Sequence, residues 1–112
     1  MFHRGKSGAV DLIHASVSIN DETVAKLQSA LEPCLQVAGR PMAVLDLAGV
    51  ELIDSRGLEE ITDQHRLFIE RGGDLKLSAP LPLVEDILEI TGIADTIDIF
   101  ENANSAVGSF SH

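Results

Sequence analysis

An α/β fold with a mixed, largely parallel sheet is predicted by three features of the 112-residue sequence. Short runs of β-branched and apolar residues alternate with segments whose apolar residues recur at helical spacing. Glycine, proline, asparagine and aspartate punctuate the junctions between them. The connections are short, so strands joined through helices make right-handed crossovers and lie parallel.

The elements follow in order. Ala9 to Ile19 reads as a strand. Val10, Leu12, His14 and Ser16 share one parity, and Ala9, Asp11, Ile13, Ala15, Val17 and Ile19 the other. The period-two signal is therefore muddied, but β-branched enrichment supports a largely buried strand. The first few residues add a short edge strand. Asn20-Asp21-Glu22-Thr23 opens the first helix, with Asn20 as N-cap and two acids at the positive end of the dipole. Val24, Leu27, Leu31 and Leu35 form its apolar face. Pro33 removes a backbone N–H and predicts a kink or break near Glu32. Gly39 and Pro41 close the segment.

Met42 to Leu47 is a continuous apolar strand with Asp46 near its end, followed by a loop from Ala48 to Asp54 that holds apolar Val50, Leu52 and Ile53. A second helix runs from about Ser55 to Arg71, with Leu58, Ile61, His65 and Phe68 on one stripe and Gly72-Gly73 as its stop. Asp74 to Ala79 reads as a strand in which Leu75 and Leu77 alternate with Lys76 and Ser78. Pro82 opens a third helix carrying Leu83, Ile87 and Ile90, stopped by Gly92. Thr96 to Phe100 is the last strand, and Asn102 caps a short helix with Ala103, Ala106 and Val107. The predicted order is β, α, β, α, β, α, β, α. No repeat, linker or low-complexity tract interrupts it, so residues 1–112 are expected to form one domain.

Composition narrows the functional classes. A 45% apolar content argues against disorder. A chain of this length buries roughly two-thirds of its unfolded surface, enough for an independent core. No apolar run approaches the roughly 20 residues that span a bilayer. Met1 to Lys6 has no apolar stretch behind its charges, so no signal peptide is read there. A soluble cytoplasmic protein is the expectation. Cys34 is the only cysteine and lies among Leu31, Leu35 and Ala38, where a buried, inert thiol is expected. Eighteen acidic against eight basic residues leave a net charge of −10. That charge repels phosphate backbones, which argues against nucleic acid and favours partners with a basic face, although solubility alone would account for it.

Functional groups in open α/β sheets gather at strand carboxyl ends and the starts of the following helices. The richest such junction runs from Asp46 to Leu58 and concentrates acids, one serine and one arginine. Ser55 stands where the second helix begins. Its ordinary role is N-cap, and spacing alone favours that role, although Leu58 replaces the Glu or Gln of a capping box. Its sharper role is phosphoacceptor. A phosphate there would meet free N–H groups at the positive helix end and add a charge of about −1.5 to −2 beside Asp54, Glu59 and Glu60. Gly57 costs a helix roughly 1 kcal/mol relative to alanine. Its presence points either to close approach by a partner or to a steric need inside the fold.

Other chemistry is sparse. The sequence lacks a nucleophile elbow, a glycine-rich phosphate loop and histidine pairs at metal-ligand spacing, so no cofactor or metal is expected. His14 falls in a strand, His65 on the buried side of a helix, and His3 and His112 at the ends. Asp46 at a strand end has the position of a phosphoacceptor aspartate, but no acidic pair follows the first strand to hold magnesium.

The run from Val44 to Leu58, with Asp54-Ser55-Arg56-Gly57-Leu58 opening a helix, closely resembles the signature of STAS domains, and most of all the free-standing anti-sigma-factor antagonists of bacteria. Arg71-Gly72-Gly73-Asp74-Leu75-Lys76-Leu77 is similar to the family's Gly-Gly turn and next strand, and Leu88 to Ile93 to its helix end. The resemblance extends with gaps from about residue 9 to 107. It implies partner switching. The antagonist binds an anti-sigma factor that is also a serine kinase, is phosphorylated by it and released, and is reset by a PP2C-type phosphatase. ATP and magnesium belong to the kinase. By this resemblance the phosphoacceptor is Ser55, and the partner-binding face comprises Asn20, Asp54, Ser55, Arg56, Gly57, Leu58 and Glu59.

Arg56 stands where the family has a second serine, and Asn20 where it frequently has an acid; both alter the recognition surface. The resemblance also allows a second role, as an accessory or scaffold subunit of a transport or stress-signalling complex without phosphate turnover. An enzymatic triad of Asp54, Ser55 and His65 is not expected, because about 15 Å of helix separates Ser55 from His65.

Overall fold

The computed structural model describes residues 1–111. His112 lies outside the described residues. Strands β1 (Phe2–Ser7) and β2 (Val10–Ala15) are followed by α1 (Val24–Leu35), β3 (Met42–Asp46), α2 (Ser55–Glu70), β4 (Asp74–Ser78), α3 (Pro82–Ile90), β5 (Ile99–Phe100) and α4 (Ala103–Gly108). The strands form one sheet in the order β1-β2-β3-β4-β5. β1 pairs antiparallel with β2, and every later pairing is parallel. The predicted class, a mixed and largely parallel sheet with alternating strand and helix units, is the one observed.

Because spatial order equals chain order, right-handed crossovers place α1, α2 and α3 on a single face. Ile13, Ala15, Ala43, Leu45, Leu75 and Leu77 point to that face and pack with Leu27, Leu31, Ile61, Phe68, Val84 and Leu88 of the helices. The opposite face is covered by α4 and the turn behind it, where Val10, Val44 and Ala106 are packed with Leu12, Met42, Phe100, Val107 and Phe110. Both faces are thus buried. This explains the muddied alternation of the first full strand and the continuous apolar run of β3.

Several expectations are corrected. The order begins β, β, because the N-terminal strand has six residues and makes a full hairpin with β2. Its side chains are almost all exposed, which left the sequence without an apolar signature there. The strand expected from Ala9 to Ile19 ends at Ala15, and Ile19 instead forms an isolated parallel bridge with Ile53. α1 runs through Pro33 without interruption. The helix ends two residues later, so the proline removes a single hydrogen bond in the last turn. On α3 the buried residues are Val84 and Leu88, whereas Leu83 and Ile90 face solvent. The last strand is confined to Ile99–Phe100, the preceding Ile93–Asp95 being a 3₁₀ turn. Asn102 caps α4 as expected, accepting the Ser105 N–H at 2.8 Å.

Candidate functional site

The loop between β3 and α2 is held from beneath by its own apolar residues. Val50 and Ile53 are buried, and only Leu52 of the three is exposed. Ile19 clamps the loop from the side. Its N–H donates to the Leu52 carbonyl at 3.1 Å, and its carbonyl accepts the Asp54 N–H at 3.1 Å. α2 then crosses so close to this segment that a Cβ on Gly57 would stand 2.4 Å from the Ile19 carbonyl oxygen. Of the two readings of Gly57, the steric need inside the fold is therefore the one realised. Gly57 is buried and offers no surface for docking. Leu58 is half-buried and packs against the main core.

The helix cap is Asp54, not Ser55. Asp54 has extended backbone (φ −88°, ψ −179°), and its Oδ1 accepts the Gly57 N–H at 2.8 Å. Its carbonyl accepts the Leu58 N–H at 2.9 Å. A cap must itself be non-helical, and Ser55 is already the first helical residue. This frees the serine. Ser55 is exposed, and its hydroxyl makes no hydrogen bond to another described residue. With Gly57 and Leu58 satisfied, the N–H groups of Ser55 and Arg56 are the ones at this helix start without an intrahelical acceptor. A group carried on the Ser55 oxygen would sit at the positive end of a 16-residue helix.

Arg56 leans down the helix, with Nη1 3.3 Å from Glu59 Oε1 and 3.6 Å from Glu60 Oε1. Glu59 is exposed, but Glu60 is only 3% exposed. The Glu60 carboxylate accepts from Gln28 Nε2 at 2.7 Å and from Gln64 Nε2 at 2.9 Å. This polar network ties α1 to α2 immediately behind the serine. Sequence reasoning missed it, because a glutamate early in a helix ordinarily reads as solvated. Asn20 lies beside the start of α2, next to Ile19. Its Oδ1 accepts from the Glu22 and Thr23 N–H groups at 2.9 and 3.2 Å, but α1 begins only at Val24. It therefore caps a turn leading into the helix and not the helix itself.

The remaining titratable groups are drawn into structure. At the carboxyl ends of β2, β3 and β4, Asp46 Oδ2 lies 2.7 Å from His14 Nδ1, and Asp46 Oδ1 accepts from Ser78 Oγ at 3.3 Å. His65 is buried, with Nε2 3.2 Å from Asp74 Oδ1, so it is not aimed at Ser55. Cys34 is fully buried, and burial pushes its thiol up to about 11, in keeping with an inert side chain. Asp11, 1% exposed, is held by Arg4 Nε at 2.9 Å and Lys6 Nζ at 3.8 Å across the hairpin. Among the described residues no group of three histidine, cysteine or acidic side chains could hold a metal ion.

An exposed serine thus opens a helix after the third strand of the sheet, with the preceding aspartate as cap and a glycine two residues on. The chain belongs to the STAS domain family, whose model matches residues 6–106. Among curated relatives it is similar to an anti-sigma F factor antagonist of Paenibacillus polymyxa, with 24% identity over 105 residues, 94% of this chain and 86% of that protein. Its fold is shared with a candidate anti-sigma factor antagonist of Thermotoga maritima at a TM-score of 0.91 and 22% identity, over 99% of this chain and 95% of the other. A sulfate transporter family protein of Wolinella succinogenes shares it too, at a TM-score of 0.78 and 17% identity, over 92% of this chain and 85% of the other. The fold is thus shared by proteins of both descriptions. Among the described residues no helix is long and apolar enough to cross a membrane.

Proposed function

We propose that this protein is a cytoplasmic anti-sigma-factor antagonist that works by partner switching, with Ser55 as its phosphoacceptor and residues 1–112 acting as one domain. The single observation that supports this most is the release of Ser55 from capping duty. Its hydroxyl is exposed on a helix start that Ile19, Asp54 and Gly57 hold in place. The similarity to a curated antagonist points the same way.

In the unphosphorylated state Ser55, Arg56, Glu59 and neighbouring Asn20 dock on an anti-sigma factor that is also an ATP-dependent serine kinase. The protein is a passive substrate and catalyses nothing itself. Transfer of a phosphoryl group to Ser55 adds a charge of about −1.5 to −2 beside Asp54 and Glu59. The phosphate is stabilised within the free protein by the unpaired N–H groups of Ser55 and Arg56 and by the helix dipole. The bound kinase surface, shaped for a neutral hydroxyl, is repelled, and the complex dissociates. A PP2C-type phosphatase restores the binding form.

The test is intact-mass analysis after incubation with the cognate anti-sigma kinase, ATP and magnesium. One added phosphate, mapped to Ser55 and absent from Ser55→Ala, is the expected result. Stable binding to a transporter subunit, with no phosphate incorporated, would favour the accessory role instead.

A further inference from the structure

The sheet face covered by α4 holds a feature that the Ser55 site does not use. Lys76, in the middle of β4, is only 8% exposed. A lysine this buried ordinarily has a carboxylate partner, because an ammonium taken out of water without one is costly. Among the described residues Lys76 has none within ion-pair distance. Its Nζ instead donates to Ser109 Oγ at 2.6 Å and stands 4.2 Å from the centre of the Phe110 ring and 5.5 Å from that of Phe100. Ser109 Oγ itself donates to the Ala106 carbonyl at 2.7 Å, which fixes the hydroxyl as an acceptor towards the lysine.

Lys76 lines a cavity of about 190 Å³ together with Arg40, Met42, Asp74, Phe110 and the Gly72-Gly73 turn. Arg40 is exposed at its rim and makes no ion pair with a described residue. Asp74, the acid of the lining, accepts from the Leu75 N–H at 2.8 Å through Oδ1, and the same oxygen lies 3.2 Å from His65 Nε2. In a protein of net charge −10, two cations without carboxylate partners among the described residues therefore share one small cavity. Met42 and Phe110 supply an apolar wall. The cavity lies at the amino ends of β3 and β4, whereas Ser55 follows the carboxyl end of β3.

We infer that this cavity binds a small organic anion, its charged head between Lys76 and Arg40 and its flat apolar part against Phe110 and Met42. The volume is below the roughly 300–1,000 Å³ of pockets that hold drug-sized ligands, so the guest is small. Contact with Lys76 gives it the desolvated charge–charge interaction that the described residues leave unmade, and the ring of Phe110 makes the site prefer a flat molecule over a bare ion. The inference is independent of the role of Ser55.

The experiment is an amide NMR titration of the full chain with benzoate, as head plus flat apolar part, and with inorganic phosphate, as head alone, at constant ionic strength. Saturable shifts confined to Gly72, Gly73, Lys76, Ser109 and Phe110 are expected with benzoate, with phosphate weaker and competing. Lys76→Met, which keeps most of the unbranched side chain and loses its charge, should weaken benzoate at least tenfold. Lys26→Met, an exposed lysine on α1, should leave it unchanged. Arg40→Gln, at the rim, keeps the inference testable should Lys76→Met fail to fold, and should weaken benzoate severalfold. Shifts that are linear and spread over the surface, or that persist unchanged in both variants, would overturn the site. Phosphate binding tighter than benzoate would overturn the apolar half of the assignment.

Discussion

Helices α2 and α3 both begin just beyond the carboxyl end of a parallel strand, yet their starts are built differently. α2 is fixed by Ile19 on one side, by the Asp54 side chain at its cap and by a contact at Gly57 too close for any Cβ. α3 begins at Pro82 with Leu81 as a cap that supplies no side-chain hydrogen bond, and Leu81 and Leu83 lie exposed. A helix start needs no such bracing merely to exist, as α3 shows. Under the proposed function the bracing at α2 matters, because the Ser55 hydroxyl is presented in front of it. A kinase must place that oxygen to within a fraction of an ångström, and a rigid frame removes the ordering cost.

The most direct way to break this contrast is to take away the close contact. Gly57→Val drives a branched side chain into the Ile19 carbonyl and should cost about 2–3 kcal/mol. Thermal melting followed by circular dichroism should show a fall in Tm of roughly 10 °C or more. An unchanged Tm would mean that the two segments are not locked together.

A middle-sized effect is expected at the cap. Asp54→Ala removes the acceptor of the Gly57 N–H and should lower stability by about 1 kcal/mol in urea unfolding, with the slope unchanged. Asp54→Asn, which keeps a capping oxygen, should recover most of that loss.

The smallest effect belongs to α3. Leu83→Ser at its exposed start should change stability by no more than about 0.5 kcal/mol. A loss as large as that of Gly57→Val would show that the two helix starts are equally structural, and the contrast would dissolve.

Much of this was legible in the sequence, and the failures have physical causes. The α2 stripe of Ile61, His65 and Phe68 was readable because a 16-residue helix repeats its period several times. α3 has nine residues, most of them apolar, so the exposed stripe through Leu83 and Ile90 looked as good as the buried one through Val84 and Leu88. β1 was underestimated because its partner is a neighbouring strand and not the core, and hydrogen bonding leaves no hydrophobic pattern. The identity of the cap was missed because Asp54 and Ser55 are both good caps, and only the backbone angles decide between adjacent candidates. In the sequence Lys76 stood out only as a polar residue alternating with Leu75 and Leu77. What covers it is the turn behind α4, where Ser109 and Phe110 return from more than 30 residues further along the chain.

The central claim is that charge at residue 55 governs whether the partner is held. Isothermal titration of the cognate anti-sigma kinase against the unmodified protein, the protein phosphorylated at Ser55, and Ser55→Ala tests it most directly. The account predicts that phosphorylation weakens binding at least tenfold, about 1.4 kcal/mol, while Ser55→Ala binds as tightly as the unmodified chain. Equal affinity of the phosphorylated and unmodified forms would contradict it.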